Sequence, residues 1–96
     1  MANLWRVTWQ QASGPDGAPV RGMPEGGWTQ MTYEGEEATI RRSFELLVQY
    51  EAAGMAIREL QLFESDVPVP VLTDRTAEAR ARVPATPTPV DPAGRR

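Results

Sequence analysis

Leu-Trp-Arg-Val-Thr-Trp-Gln-Gln, residues 4–11, alternates between large apolar and polar side chains. Trp5, Val7 and Trp9 share one face, and the polar residues between them share the other. This period of two predicts a strand with one face against a core. We therefore predict Trp5 and Trp9 as core residues, rather than as an exposed platform on which bases or sugars would stack.

A second strand is predicted after a long turn region. Residues 12–27 hold two clusters of Gly and Pro, which favour turns because Pro presets φ and Gly permits positive φ. Residues 28–33, Trp-Thr-Gln-Met-Thr-Tyr, are rich in aromatic and β-branched side chains. We expect this segment to pair antiparallel with the first strand, since the two are close in sequence.

Residues 36–53 show the apolar period of a helix. Ile40, Phe44 and Leu47 recur at helical spacing, and Gly54 is a typical residue just after a helix end. The segment therefore predicts an amphipathic helix with one face on the sheet.

A third strand is predicted over residues 55–64, and the return from the helix suggests that it lies beside the first strand. Residues 1–66 are therefore predicted as a small two-layer α+β domain. Its order is β-β-α-β, with one helix on a face of a three-stranded sheet.

Residues 67–96 differ in composition and are predicted as an extended Pro-rich tail, with a short helix around residues 74–82. Val-Pro-Val-Pro-Val at 67–71 lacks an N–H at each Pro, so it is either an edge strand or a polyproline II stretch. Residues 1–66 hold five Arg against ten acids, whereas the tail holds five Arg against three. An acidic body is a poor phosphate binder, so nucleic acid is not expected as the main partner.

The composition excludes most of the side chains that ordinarily carry out catalysis. The chain has no Cys and no His, and its ten basic residues are all Arg, so no thiol, imidazole or lysine amine can activate a nucleophile. The acids of the predicted helix lie on its solvated face, and no acids have the loop spacing of a calcium site. The glycines at 22–27 precede Trp28 rather than a Lys and a helix, unlike a phosphate loop. We expect a protein that is not an enzyme, with no cofactor, metal or small-molecule substrate.

The first residues lack the charged start and apolar run of a signal peptide, and no run approaches the roughly 18 apolar residues of a membrane span. We therefore expect a protein that is cytoplasmic at synthesis and has no membrane partner. The absence of Lys beside abundant Arg, Ala, Gly and Pro is what a GC-rich coding sequence would give.

The predicted domain has more apolar faces than one helix can cover. In the third strand Leu60 and Leu62 point to one face, and Ile57 and Phe63 point to the other. The second sheet face therefore needs a cover. The candidates are the segment at residues 67–72 folding back, a second copy of the chain, or a different protein.

These features favour a structural or interaction protein that docks on a protein partner, or on its own copies, through a sheet face and an extended tail. A minor virion component, such as a capsid or tail accessory protein of a phage of high-GC bacteria, fits the size, composition and charge. The alternative is a small acidic regulatory protein or inhibitor that binds a host enzyme or a nucleic-acid-binding protein. The predicted partner-binding residues are Trp28, Ile57, Phe63, Val67, Val69, Val71, Leu72, Arg75, Arg80 and Arg82.

Overall fold

The computed structural model describes residues 3–65 and 71–83, which form a four-stranded antiparallel sheet with two helices on one face. The elements in chain order are β1 (Leu4–Ala12), β2 (Trp28–Gly35), α1 (Glu37–Ala52), β3 (Ile57–Ser65), β4 (Leu72–Asp74) and α2 (Thr76–Arg82). The strand order is β2-β1-β3-β4. The predicted α+β class is confirmed, and β1 lies between β2 and β3 as expected. The prediction of a three-stranded sheet with one helix on a face is wrong, because β4 adds a fourth strand and α2, where a short helix is predicted around residues 74–82, packs on the same face as a second helix.

β1 carries the inner face that its alternation predicts. Trp5 and Val7 are buried, and Trp9 packs partly buried against the same core. Because β1 pairs with a strand on each side, its inner face lies at the centre of the sheet under the helices. The core cluster consists of Trp5, Val7, Ile40, Phe44, Leu47, Ile57, Leu60, Leu62 and Ala79.

α1 lies on this core through a stripe of residues three and four apart, as its period predicts. The helix ends where Gly54 adopts a φ of +85°, a left-handed conformation that suits Gly because it has no Cβ. The N–H groups of Gly54 and Met55 donate to the carbonyls of Glu51 and Tyr50, at 3.1 and 3.0 Å. These bonds satisfy the last carbonyls of the helix and turn the chain towards β3.

β3 contains a bulge that changes which side chains reach the core. Between the pairs that β3 makes with Thr8 and Gln10, two residues of β3 lie opposite the single residue Trp9. One of these two, Glu59, has a φ of +55°, in the left-handed region. Because of this extra residue, odd-numbered residues before the bulge point to the same face as even-numbered residues after it.

Ile57 is the residue that this shift moves. The sequence predicts Ile57 beside Phe63 on the face away from the helix and as a partner-binding residue, and this prediction is wrong. The bulge brings Ile57 to the inner face with Leu60 and Leu62, where it has no exposed surface. Phe63 stays on the opposite face and is half-buried.

Replacing Glu59 by Gly should stabilise the domain. A side chain in the left-handed region costs roughly 1–2 kcal/mol, and the extra freedom of Gly in the unfolded chain returns only about 0.5–1 kcal/mol of this. We expect Glu59→Gly to raise the free energy of unfolding by up to about 1 kcal/mol, measured by urea denaturation. Gln61→Gly, in the regular part of the same strand, should lower it. A loss of stability in Glu59→Gly would contradict the strain at this position.

β4 and α2 extend the packed structure beyond residue 66. α2 lies on the same face as α1 and buries Ala79 in the shared core. Its start is fixed to β3, because the hydroxyl of Thr76 accepts a hydrogen bond from the Leu62 N–H at 2.9 Å. Residues 67–70 and 84–96 of the predicted tail lie outside the described residues, so the division at residue 66 stays a prediction.

Candidate interaction surface

The sheet face opposite the helices, which we call the open face, carries no covering element among residues 3–65 and 71–83. Side chains of directly opposed residues share a face, so the strand register identifies its members. The open face consists of Leu4, Arg6, Thr8, Gln10, Ala12, Trp28, Gln30, Thr32, Glu34, Arg58, Gln61, Phe63, Ser65, Leu72 and Asp74.

One end of the open face is organised by Trp28 and Arg58. The guanidinium carbon of Arg58 lies 4.0 Å from the centroid of the Trp28 ring, and Arg58 Nε donates to Gln10 Oε1 at 2.7 Å. The indole N–H of Trp28 donates to the carbonyl of Pro24 at 3.2 Å. These contacts hold both side chains in place without a partner. Trp and Arg are also the residue types enriched in binding hot spots.

The other end of the open face is apolar. Leu4 and Leu72 flank Ser65 in the sheet and are 40% and 49% exposed. Phe63 lies two residues before Ser65 on the same face. Three large apolar side chains from three strands therefore meet solvent at this end.

The middle of the open face is polar and its charges balance. Thr8 of β1 lies between Thr32 of β2 and Gln61 of β3, so uncharged hydrogen-bonding groups fill the centre. Arg6 and Glu34 form an ion pair with an N–O distance of 2.6 Å. The face as a whole carries two arginines and two acids, and is therefore neutral.

The three arginines predicted as partner contacts bind carboxylates of this chain. The pairs and their N–O distances are Arg75 with Glu64 at 2.8 Å, Arg80 with Glu51 at 2.9 Å, and Arg82 with Glu78 at 2.9 Å. Hydrogen bonds from Asn3 and from Arg75 lower the pKa of Glu64 below its ordinary value. Two of these pairs join α2 or the residue before it to α1 and β3. Contact of these arginines with a partner stays a prediction.

The remaining predicted residues differ in their placement. Val71 is 52% exposed just before β4, and Leu72 lies on the open face. Val67 and Val69 lie outside the described residues. The structure thus brings Trp28, Phe63 and Leu72 to one face and removes Ile57 from it.

Arg58 is a member of the open face that sequence reasoning misses. Strict alternation through β3 places Arg58 with Leu60 and Leu62 on the inner face. Only the bulge turns it outward, and Glu59 is neither Gly nor Asn, the residues that ordinarily signal a left-handed position. The sequence therefore offers no local sign of this placement.

The described part of the chain shows little that resembles a catalytic or ligand site. No group of three or more His, Cys, Asp or Glu side chains is arranged to hold a metal ion within residues 3–65 and 71–83. A cleft between α1 and α2, lined by Arg41, Phe44, Ala79 and neighbours, has a volume of about 160 Å³. Ligand pockets are usually roughly 300–1,000 Å³. Neither described helix has the length and apolar character needed to cross a membrane.

No family model, curated protein or solved structure matches this chain. What bears on its function is therefore the chain's own surface, in particular the open face with an anchored Trp–Arg pair at one end and an apolar cluster at the other.

Proposed function

We propose that this chain is a non-enzymatic interaction protein that docks on a protein partner through the open face. The observation that carries the proposal is the Trp28–Arg58 pair, 4.0 Å apart, on a sheet face that the described elements leave uncovered. The outer face of an antiparallel sheet that meets only water is ordinarily polar. This one is polar in its middle but carries Trp28 at one end, and Phe63 and two exposed leucines at the other.

The partner surface is expected to be flat, uncharged and apolar at two points. The Trp28 end and the Phe63 end lie beside Ala12 and Arg6 of β1, six residues or about 20 Å apart. This separation fits within a standard interface of roughly 800 Å² per partner. The Thr and Gln side chains between the two ends supply hydrogen bonds that fix the orientation of the partner.

The alternative of an acidic inhibitor receives no support from this face, because its acids and arginines are equal in number and Glu34 is already paired with Arg6. As the setting of the docking function we propose a minor virion component, on size and composition alone. This version requires the chain to co-purify with assembled particles.

Phe63→Asp should abolish capture of the partner while the domain stays folded. Phe63 is half-buried on the open face, so a carboxylate there meets water in the free protein but lies in the interface of a complex. Tagged full-length chains are incubated with an extract of the native source, and captured proteins are quantified by mass spectrometry. We expect at least a tenfold loss of one specific protein with Phe63→Asp and with Trp28→Ala.

The matched control is Met23→Asp, which changes an apolar side chain that is 64% exposed and lies off the open face. It should leave capture unchanged. Equal capture by all variants would contradict the proposal. A melting temperature that falls by tens of degrees in Phe63→Asp would show instead that Phe63 is part of the core.

A further inference from the structure

β2 is a sheet edge without the usual protection. It has eight residues and, among residues 3–65 and 71–83, pairs in unbroken register with β1 on one side only. Half of its backbone N–H and C=O groups therefore point away from β1. Natural edge strands are commonly protected by shortness, Pro, Lys or a bulge. The sequence Trp-Thr-Gln-Met-Thr-Tyr-Glu-Gly has none of these.

The opposite edge of the sheet is different. β4 has three residues and pairs with only the last three of β3. A strand of this length offers few backbone groups to a neighbour. The two edges of the same sheet therefore differ in their capacity to accept another strand.

The helix layer leaves apolar side chains exposed on the side of β2. Tyr33 lies opposite the buried Val7, and so points to the helix-bearing face, yet is 47% exposed. On α1, Arg41 faces α2 through its contact with Glu78. Tyr50 follows Arg41 by nine residues, about two and a half helical turns, and therefore lies on the other flank of the helix.

This flank of α1 is also apolar. Leu46 and Tyr50 are spaced i,i+4 and are each 44% exposed. α2 lies over β3 on the far flank, so Leu46 and Tyr50 face the side of the sheet where β2 is the edge. If only a single strand of another protein paired with β2, Leu46 and Tyr50 would stay exposed to solvent. A partner with its own helix layer would cover both side chains.

We propose that β2 pairs antiparallel with β2 of a second copy of this chain. The two-fold axis that relates two identical antiparallel strands runs perpendicular to the sheet, so the helices of both copies lie on the same face. Tyr33 and the exposed flank of α1 then meet their counterparts above the joined strands. The one charged residue of β2, Glu34, is paired with Arg6 within its own chain, so two copies approach without a net like charge along the edge.

The expected dimer is weak and reversible. Eight residues of strand are about 27 Å long, and the sheet with its helix layer is about 20 Å deep. The contact therefore buries on the order of 1,000 Å² in total, the lower limit of a specific interface. The result is an eight-stranded sheet whose open face is still free, so this inference does not depend on the proposed docking function.

The first test is sedimentation equilibrium of the full-length chain over a range of concentrations up to roughly millimolar, the upper end for weak association. We expect a reversible shift to twice the mass of one chain. Tyr33→Lys, which places like charges beside the axis, should raise the dissociation constant at least tenfold. Leu72→Lys is the matched control, because Leu72 is 49% exposed on the opposite edge strand. It should leave the dissociation constant unchanged.

The second test locates the contact by crosslinking. The chain has no Cys, so Thr32→Cys and Thr73→Cys each carry a single thiol, on β2 and on β4 respectively. A short bismaleimide should join two copies of Thr32→Cys but not of Thr73→Cys. The proposal would be overturned if the chain stays monomeric at every concentration. This includes the case in which β2 binds only a strand of another protein. Crosslinking through Thr73→Cys alone would overturn it too.

Discussion

Replacing Ile57 by Asp should unfold the domain at neutral pH. Ile57 has no exposed surface and packs with Leu60 and Leu62 in the core. Loss of the apolar side chain costs about 2–3 kcal/mol, and a buried carboxylate without a partner costs several more. The sum exceeds the roughly 3–5 kcal/mol that a core of this size supplies without a disulfide or a metal. Circular dichroism and the amide dispersion of a nitrogen–proton NMR spectrum measure the loss of structure.

Phe63→Asp is the control within the same strand. Its side chain leaves β3 on the other side of the bulge and on the other face, so this variant should stay folded. Under strict alternation Ile57 and Phe63 would share a face, so the two substitutions would have the same effect on folding. With the bulge, only Ile57→Asp places a carboxylate in the core. A folded Ile57→Asp variant with an unchanged melting temperature would therefore contradict the bulge at Glu59.

Phe44→Ala should remove most or all of the roughly 3–5 kcal/mol by which the domain is stable, because removing a buried aromatic ring usually costs about 3–5 kcal/mol. Phe44 is 1% exposed, at the middle of the buried stripe of α1. It also lines the cleft between the helices together with Ala79. Because the Ala79 side chain is short, α2 cannot fill the space that the Phe44 ring leaves. The resulting cavity should be continuous with the cleft.

Urea denaturation followed by tryptophan fluorescence measures this loss, since Trp5 and Trp9 report on the core. Leu46→Ala is the matched control on the same helix, because Leu46 is 44% exposed. It should change the free energy of unfolding by less than about 0.5 kcal/mol. A loss below about 1 kcal/mol for Phe44→Ala would contradict its place in the core.

The parts of the fold that can be predicted from the sequence are those where one period persists over many residues. β1 keeps a period of two from Trp5 to Trp9, and α1 keeps a helical period from Ile40 to Leu47, about two turns. The core-facing residues of β1 and of α1 therefore follow directly from the sequence. The pairing of β1 with β2 also follows, because elements consecutive in the chain are usually adjacent in space, and the return of the chain after α1 suggests β3 as the other neighbour of β1.

The parts of the fold that cannot be predicted depend on local features of only one or a few residues. The bulge is a single residue, Glu59, whose left-handed backbone is favoured by the pairing around it and not by its own side chain. β4 has only three residues and therefore no readable period. A short helix is predicted where α2 forms, but α2 buries only Ala79, so its packing on the core leaves no apolar period in the sequence. On the open face, Trp28 and Phe63 follow from alternation, whereas Arg58 depends on the bulge.

The position of β1 at the centre of the sheet also matters while the chain is being made. Val7 pairs with Tyr33 on one side and with Leu62 on the other, so the ribosome must add 29 residues after Tyr33 before the second pairing is possible. At roughly 5–20 residues per second this takes about 1.5–6 s. During that interval the nascent β1–β2 hairpin displays Trp5 and Val7 on a bare surface. The arrival of β3 is therefore the step that closes the core, and nascent-chain chaperones have those seconds in which to shield the hairpin from its neighbours on the same polysome.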